Sequence, residues 1–219
     1  SGNNRVLEGA MKTCEVLAGE ILNDYDFTNC RNNGWHIIHL MAAYKATGRK
    51  LFLNGAQIII DRSLERQRPT GGWERLQVSW HCQCDPPRHM GNVAFLVSIL
   101  IVGLKRYHEA TGHQRIANSI IRAADYLINT MWDTKKKAFR RTSCPKSGIG
   151  FDIRLLKGIA IAYAVSGAKR FKNILLEDIR NDSSESSQPT EGAIGKTISG
   201  RMRSFPAVLS YLPKRTKKI

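Results

Sequence analysis

Three stretches of this chain share one phrasing. AYKATGRKLFLNGAQIIIDRSLE at 43–65, RYHEATGHQRIANSIIRAADYLI at 106–128 and AYAVSGAKRFKNILLEDI at 162–179 each run from an aromatic through Thr-Gly or Ser-Gly into a basic amphipathic segment. A glycine that follows one helical run and precedes another suits the left-handed residue that ends a helix. Gly48, Gly112 and Gly167 therefore each mark the turn of a helical hairpin, and a repeated hairpin means a repeat architecture.

The hairpins are predicted at 34–47 with 50–67, 90–111 with 113–131, and 151–166 with 168–181. A further helix spans about 5–23, where Val6, Leu7, Ala10, Met11, Cys14, Leu17, Ala18, Ile21 and Leu22 share a face. The first helix of each pair is apolar almost all round (IIHLMAAY, NVAFLVSILIVGL, LLKGIAIAYAV) and the second is amphipathic. A helix apolar on every side is buried, and an amphipathic one faces solvent. The expected class is all-α, with an inner and an outer row of helices as in an α/α toroid. Connections within pairs are short and those between pairs long, about 68–89 and 132–150. The long loops must all emerge at the N-termini of the inner helices, an end suited to building a site and to receiving anions.

The helical-hairpin domain is read as 1–181. DSSESSQPTEG suggests a polar linker at 182–195, and 196–219 reads as a last helix or basic tail begun near Pro206. No apolar run approaches the ~18 residues of a membrane span. The net charge is +16, and residues 133–219 alone carry 19 basic and seven acidic side chains. That excess points to a polyanionic partner, with a merely solvated basic face as the alternative. Five scattered cysteines are not a disulfide scaffold. Dinucleotide-binding, phosphate-loop and nucleophile-elbow motifs are missing, and no specific nucleic-acid module is recognisable. GAIGKT at 192–197 has the wrong spacing for a phosphate loop.

The run RNNGWHIIHLMAAYKATGRKLFLNGAQIIIDRSLERQRPTGGWE, with SWHCQCDPPRHMG and the hairpin that follows it, resembles the six-hairpin toroids of carbohydrate-active enzymes, both glycoside hydrolases and polysaccharide lyases. The resemblance covers about 31–180 and implies the toroid fold and a saccharide substrate, given the charge an acidic one. A complete ring of that kind has six hairpins, and about three and a half are present here. A half-ring would need a missing segment, a second chain or a dimer to cover its inner helices.

The long-loop end gathers the candidate site. Arg31, Asn33, Trp35 and His36 come from the first mouth, Trp73, Glu74, Trp80, His81, Asp85, Arg88 and His89 from the second, and Arg141 and Asp152 from the third. His89 and His81 are candidate acid–base groups because imidazole titrates near neutrality. Arg88 suits bidentate capture of a carboxylate, which would acidify the adjacent C–H for elimination. Hydrolysis would need paired carboxyls, for which Glu74 with Asp85 or Asp152 is the best set. Trp35, Trp73 and Trp80 offer faces for sugar rings, or else plug the ring; Arg31, Asn33, His36, Arg141 and Asp152 would complete substrate binding.

No cofactor is required by this reading. The alternative is zinc held by Cys82, Cys84, His81 and His89, with Cys144 as a further donor. Lanthionine-cyclase toroids carry zinc on Cys and His, so a zinc enzyme of that kind is one rival. A non-catalytic polyanion-binding module is the other.

Overall fold

The computed structural model describes residues 4–149, 152–182, 202 and 204–212. From residue 4 to 182 the helices are α1 (Asn4–Asn23), α2 (Cys30–Thr47), α3 (Lys50–Arg66), α4 (Ala94–Thr111), α5 (Gln114–Met131), α6 (Ile153–Ser166) and α7 (Lys169–Asp182). The fold is all-α and toroid-like. α2, α4 and α6 pack side by side as the inner row, and α1, α3, α5 and α7 stand behind them.

The Thr-Gly and Ser-Gly turns work as their chemistry requires. Gly48, Gly112 and Gly167 have φ of 68°, 70° and 66°, and their N–H groups donate to the carbonyls of Tyr44, His108 and Tyr163. The hydroxyl just before each glycine closes the same turn from the side. Thr47, Thr111 and Ser166 donate to Ala43, Tyr107 and Ala162 at 2.8, 2.9 and 2.6 Å. A hydroxyl that satisfies a last-turn carbonyl suits the end of a helix better than its middle.

The inner row is built by small residues. A Cβ placed on Gly34 of α2 would lie 2.6 Å from the backbone of Ile99 in α4, and one on Gly103 would meet the Gly34 carbonyl at 3.0 Å. Gly158 of α6 leaves the same kind of room for Ser98, whose hydroxyl donates to the Leu155 carbonyl at 2.9 Å. Behind this seam Ile37, Leu40, Phe52, Ile59, Leu100, Ile101, Leu104, Ile120, Leu156 and Ile159 are fully buried.

The helix limits depart from expectation in two places. α2 begins at Cys30 rather than 34, because the Asn29 side chain accepts from the Asn32 N–H at 3.0 Å and starts the helix early. Arg31 and Asn33 therefore stand on the first helical turn and not in a loop. α4 begins at Ala94 rather than 90, because Met90–Gly91 (β2) pairs antiparallel with Arg75–Leu76 (β1). A second small ladder, Trp132–Asp133 (β3) with Ala138–Phe139 (β4), opens the next long loop. Neither ladder is legible in the sequence, since two-residue strands carry no periodicity.

Beyond α7, the expected linker and GAIGKT lie outside the described residues. Residues 204–210 are helical. Val208 is fully buried, Phe205, Tyr211 and Leu212 pack on the core, and Lys105 of α4 lies over the Tyr211 ring. Among the described residues, no helix is long and apolar enough to cross a membrane.

The inner seam makes a paired prediction. Gly34→Ala is expected to destabilise by about 2–4 kcal/mol, since backbone must move to admit the methyl. Gly9→Ala, whose Cβ meets nothing within 4 Å, is expected to stabilise α1 by about 0.5–1 kcal/mol. Thermal midpoints measured side by side check the opposite signs.

Candidate functional site

All three connections into the inner row meet at one end. Residues 24–29 lead into α2, the loop from 67 to 93 into α4, and the loop from 132 to 152 into α6. The two long loops are sewn together. Val93 bridges Thr142, the Ala94 N–H donates to the Arg141 carbonyl and the Ser143 N–H to the Asn92 carbonyl. The Asn92 N–H donates to the Ser143 hydroxyl at 2.7 Å, and the Thr142 hydroxyl donates to the His81 carbonyl at 2.8 Å. Asn92 also exchanges two hydrogen bonds with the backbone of Trp73. A rigid floor results, although most of it has no regular secondary structure.

Two cavities are lined by residues of these loops. The first, about 450 Å³, is lined by Phe27, Asn29, Glu65, Arg66, Arg68, Trp73, Glu74, Arg75, Gln77, His81, Asn92 and Val93. The second, about 540 Å³, is lined by Trp80, His81, Gln83, Val93, Phe95, Arg140, Arg141, Thr142, Asp152 and Arg154. His81 and Val93 belong to both. His81 is half-buried, and burial, then the charges of Arg75 and Arg141, hold its pKa below the usual histidine range. This imidazole lines both cavities.

The sequence candidates divide. Trp80 is 89% exposed on the rim of the second cavity. Arg141 and Asp152 line it too, but the Asp152 carboxylate is engaged: it caps α6 and receives two hydrogen bonds, at 2.8 and 2.6 Å, from the Arg154 guanidinium. Glu74 lines the first cavity and accepts from the Thr70 hydroxyl. Trp73 is a plug, 4% exposed, with its indole N–H donating to the Ser63 carbonyl and Phe27 stacked at 6.5 Å.

Others lie away from both cavities. Arg31 and Trp35 line a separate hollow of about 350 Å³ between the inner helices, beside Arg106 and Ser204. His36 faces α1, in a hollow with Leu17 and Glu20. Asn33 is fully buried and accepts from Tyr25 and Thr28. Asp85 and Arg88 are exposed and line neither cavity.

His89 turns inward. Its Nδ1 lies 3.4 Å from Cys82 Sγ and 3.6 Å from Cys84 Sγ, with Cys144 Sγ 3.9 Å from Cys82. Burial opposes ionisation of Cys82, but His89 and nearby backbone N–H groups outweigh it and bring that thiol down to about 5. Burial, then the neighbouring Cys82, push Cys84 up. Cys144 replaces His81 in the suggested metal set, because His81 points to the cavities. Glu65, Arg75, Gln77, Asn92, Phe95 and Arg154 were missed as lining groups. They sit in helices or polar loop segments without a motif, and only folding brings them to the mouth.

Comparison with solved structures gives the fold its relatives. A family 76 α-1,6-mannanase of Salegentibacter sp. HEL1_6, in an inactive variant with two neighbouring aspartates replaced, was solved with α-1,6-mannotriose. It matches with a TM-score of 0.62 at 12% identity, over 88% of this chain and 61% of that one. A second inactive variant of that enzyme, with α-1,6-mannotetrose, matches equally well at 11% identity, over 88% of this chain and 60% of that one. The family 76 α-mannanase of Bacteroides thetaiotaomicron matches at 0.54 and 14%, over 71% and 44%.

The likeness is one of fold. The chain spans about three fifths of the length of the mannanase it matches over most of its own length. No family model and no curated protein sequence matches it. Nowhere does this chain contain two adjacent aspartates.

His36 supplies a pH test. Burial, then the charge of His39, lower its pKa, and its Nδ1 is buried without a hydrogen-bond partner. The unfolded chain therefore binds this proton more readily than the native one. Its contribution favours the fold above about pH 6.5 and is lost as pH falls through that range. His36→Gln is expected to flatten the decline in unfolding free energy between about pH 7.5 and 5.5; denaturant titrations at both ends check it.

Proposed function

We propose that this chain is a carbohydrate-active enzyme that binds an acidic, uronate-bearing polysaccharide across the two mouth cavities and cleaves it by elimination beside His81. The observation that carries the reading is the makeup of the second cavity. An almost fully exposed tryptophan borders it, three arginines line it, and its only carboxylate among the described residues is already paired with one of them. An exposed indole offers a flat apolar face to a sugar ring, and a surplus of guanidinium favours a carboxylate on that sugar. The shared fold supports the saccharide part of the reading alone, since one structural neighbour was solved with α-1,6-mannotriose and α-1,6-mannotetrose.

Elimination asks for few groups. Arg141 neutralises the uronate carboxylate and so acidifies the neighbouring C–H. His81, held neutral, takes that proton. The electron pair forms the new carbon–carbon double bond as the glycosidic C–O bond breaks, and the leaving oxygen gains a proton from water. Hydrolysis of the usual kind needs two available carboxyls. In the second cavity Asp152 is engaged, and in the first Glu65 pairs with Arg62 while Glu74 accepts from the Thr70 hydroxyl.

Incubation with polyuronates and, separately, with neutral α-1,6-mannan tests the reading. The expected result is the ultraviolet absorbance of an unsaturated uronate from the acidic polymer alone. Release of reducing ends from neutral mannan without that absorbance would overturn it. Salt-sensitive polyanion binding without turnover would instead identify a non-catalytic module, a reading that the basic mouth also favours. His81→Ala is expected to lower turnover at least about 100-fold while leaving binding within a few-fold. Trp80→Ala should weaken binding about three- to tenfold, and the acidic limb of the pH–rate profile should lie below the ordinary histidine range.

A further inference from the structure

The cluster behind the mouth has the geometry of a metal site. Donor atoms of Cys82, Cys84, His89 and Cys144 all lie within 4.8 Å of one another. Tetrahedral zinc, with Zn–S near 2.3 Å and Zn–N near 2.0–2.1 Å, requires sulfur–sulfur separations of about 3.8 Å and sulfur–nitrogen separations of about 3.5 Å. The separations found are 3.9 Å between Cys82 and Cys144, and 3.4 and 3.6 Å from His89 Nδ1 to Cys82 and Cys84. Three of the six separations thus match tetrahedral spacing, and the other three are held within 4.8 Å.

The surroundings agree. The three thiols are 1%, 6% and 0% exposed, and they form a small cluster of their own, apart from the main core. Three cysteines bury little apolar area, too little to order two long irregular loops by the hydrophobic effect. A metal that binds the folded loops and not the unfolded chain adds its binding free energy to folding. The donors also come from separate loops: Cys82, Cys84 and His89 from the one between α3 and α4, Cys144 from the one between α5 and α6.

We propose that Cys82, Cys84, His89 Nδ1 and Cys144 bind one Zn²⁺ as a closed structural site that staples the two long loops of the mouth. Each thiol gives up its proton to solvent as it ligates. Four protein donors fill the tetrahedron and leave no position for a water, so the ion acts by fixing loops and not by activating a nucleophile. Softness and geometry select zinc: thiolate-rich tetrahedral sites take zinc or iron, and one imidazole among three thiolates suits zinc well. The staple has a consequence for the mouth. Trp80 and His81 immediately precede Cys82, and Arg140 and Arg141 lie just before Cys144, so the ion would anchor both walls of the second cavity from behind.

The test begins with the wild-type chain purified without chelators and analysed for metals. About one zinc per chain is expected; less than a tenth of an equivalent of zinc, or stoichiometric iron instead, would overturn the assignment. Titrating the thiols with a mercurial should release zinc in step with their modification. A mass showing a disulfide among Cys82, Cys84 and Cys144 counts against the site. Cobalt added to stripped protein should give the intense red-region bands of a tetrahedral ion together with thiolate charge transfer, and weak octahedral bands would reject it.

Cys144→Ser should lose at least nine tenths of the bound zinc, whereas Cys14→Ser, on α1 and outside the cluster, should keep it. Should Cys144→Ser fail to fold, the mercurial and cobalt measurements on the wild-type chain decide alone. Zinc removal is expected to raise protease cleavage within 67–93 and 132–152 at least tenfold while the helical circular dichroism persists; unchanged cleavage would refute the stapling role. None of these readouts depends on the substrate.

Discussion

The inner row depends on the contact of α2 with α4 at Gly34. Two helices can approach until backbone nearly touches backbone only where one of them lacks a Cβ, and Gly34 faces the peptide between Ile99 and Leu100. Ser98 and Gly158 repeat the device between α4 and α6. These seams fix where the three inner helices begin, and so where the connecting loops enter. A bulkier seam would spread the N-termini apart, and the hydrogen bonds between the 67–93 and 132–152 loops could not close.

On that platform the mouth is made by irregular chain, which usually has to be held by something other than a core. Three devices share the task here. Asn92 and Ser143 tie backbone to backbone across the loops, two short ladders brace each loop against itself, and the Cys82–Cys84–His89–Cys144 cluster joins them at the far side. The chemistry proposed for the mouth and the metal proposed beneath it are separate readings. They meet at the Trp80–Cys82 segment, where neighbouring residues face opposite sides of one loop.

Several roles suggested by residue type are redistributed by geometry. His89 and His81 look alike in sequence, eight positions apart in one polar run. One points into a nest of thiols and the other lines two cavities. Trp73 and Trp80 divide in the same way: one is a plug whose N–H is used internally, the other an exposed face. The electrostatics follow. Burial, then two arginines, lower the pKa of His81, whereas the Asp152 carboxylate is committed to capping α6 and to Arg154.

The sequence by itself determined the architecture. Gly48, Gly112 and Gly167 with their preceding hydroxyls, and the alternation of wholly apolar with amphipathic helices, are local signals that need no neighbour to be read. They place the hairpins, the inner and outer rows and the end at which the long loops gather. What the sequence could not decide is which loop residues face one another. Cys144 lies some 60 residues from Cys82, and nothing in a Cys-x-Cys spacing says that a third thiol will join that cluster. Glu65 and Arg154 enter the mouth from helix ends that carry no motif. Loop side chains are oriented by long-range hydrogen bonds and by the helices they rest on, so these choices belong to the tertiary structure alone.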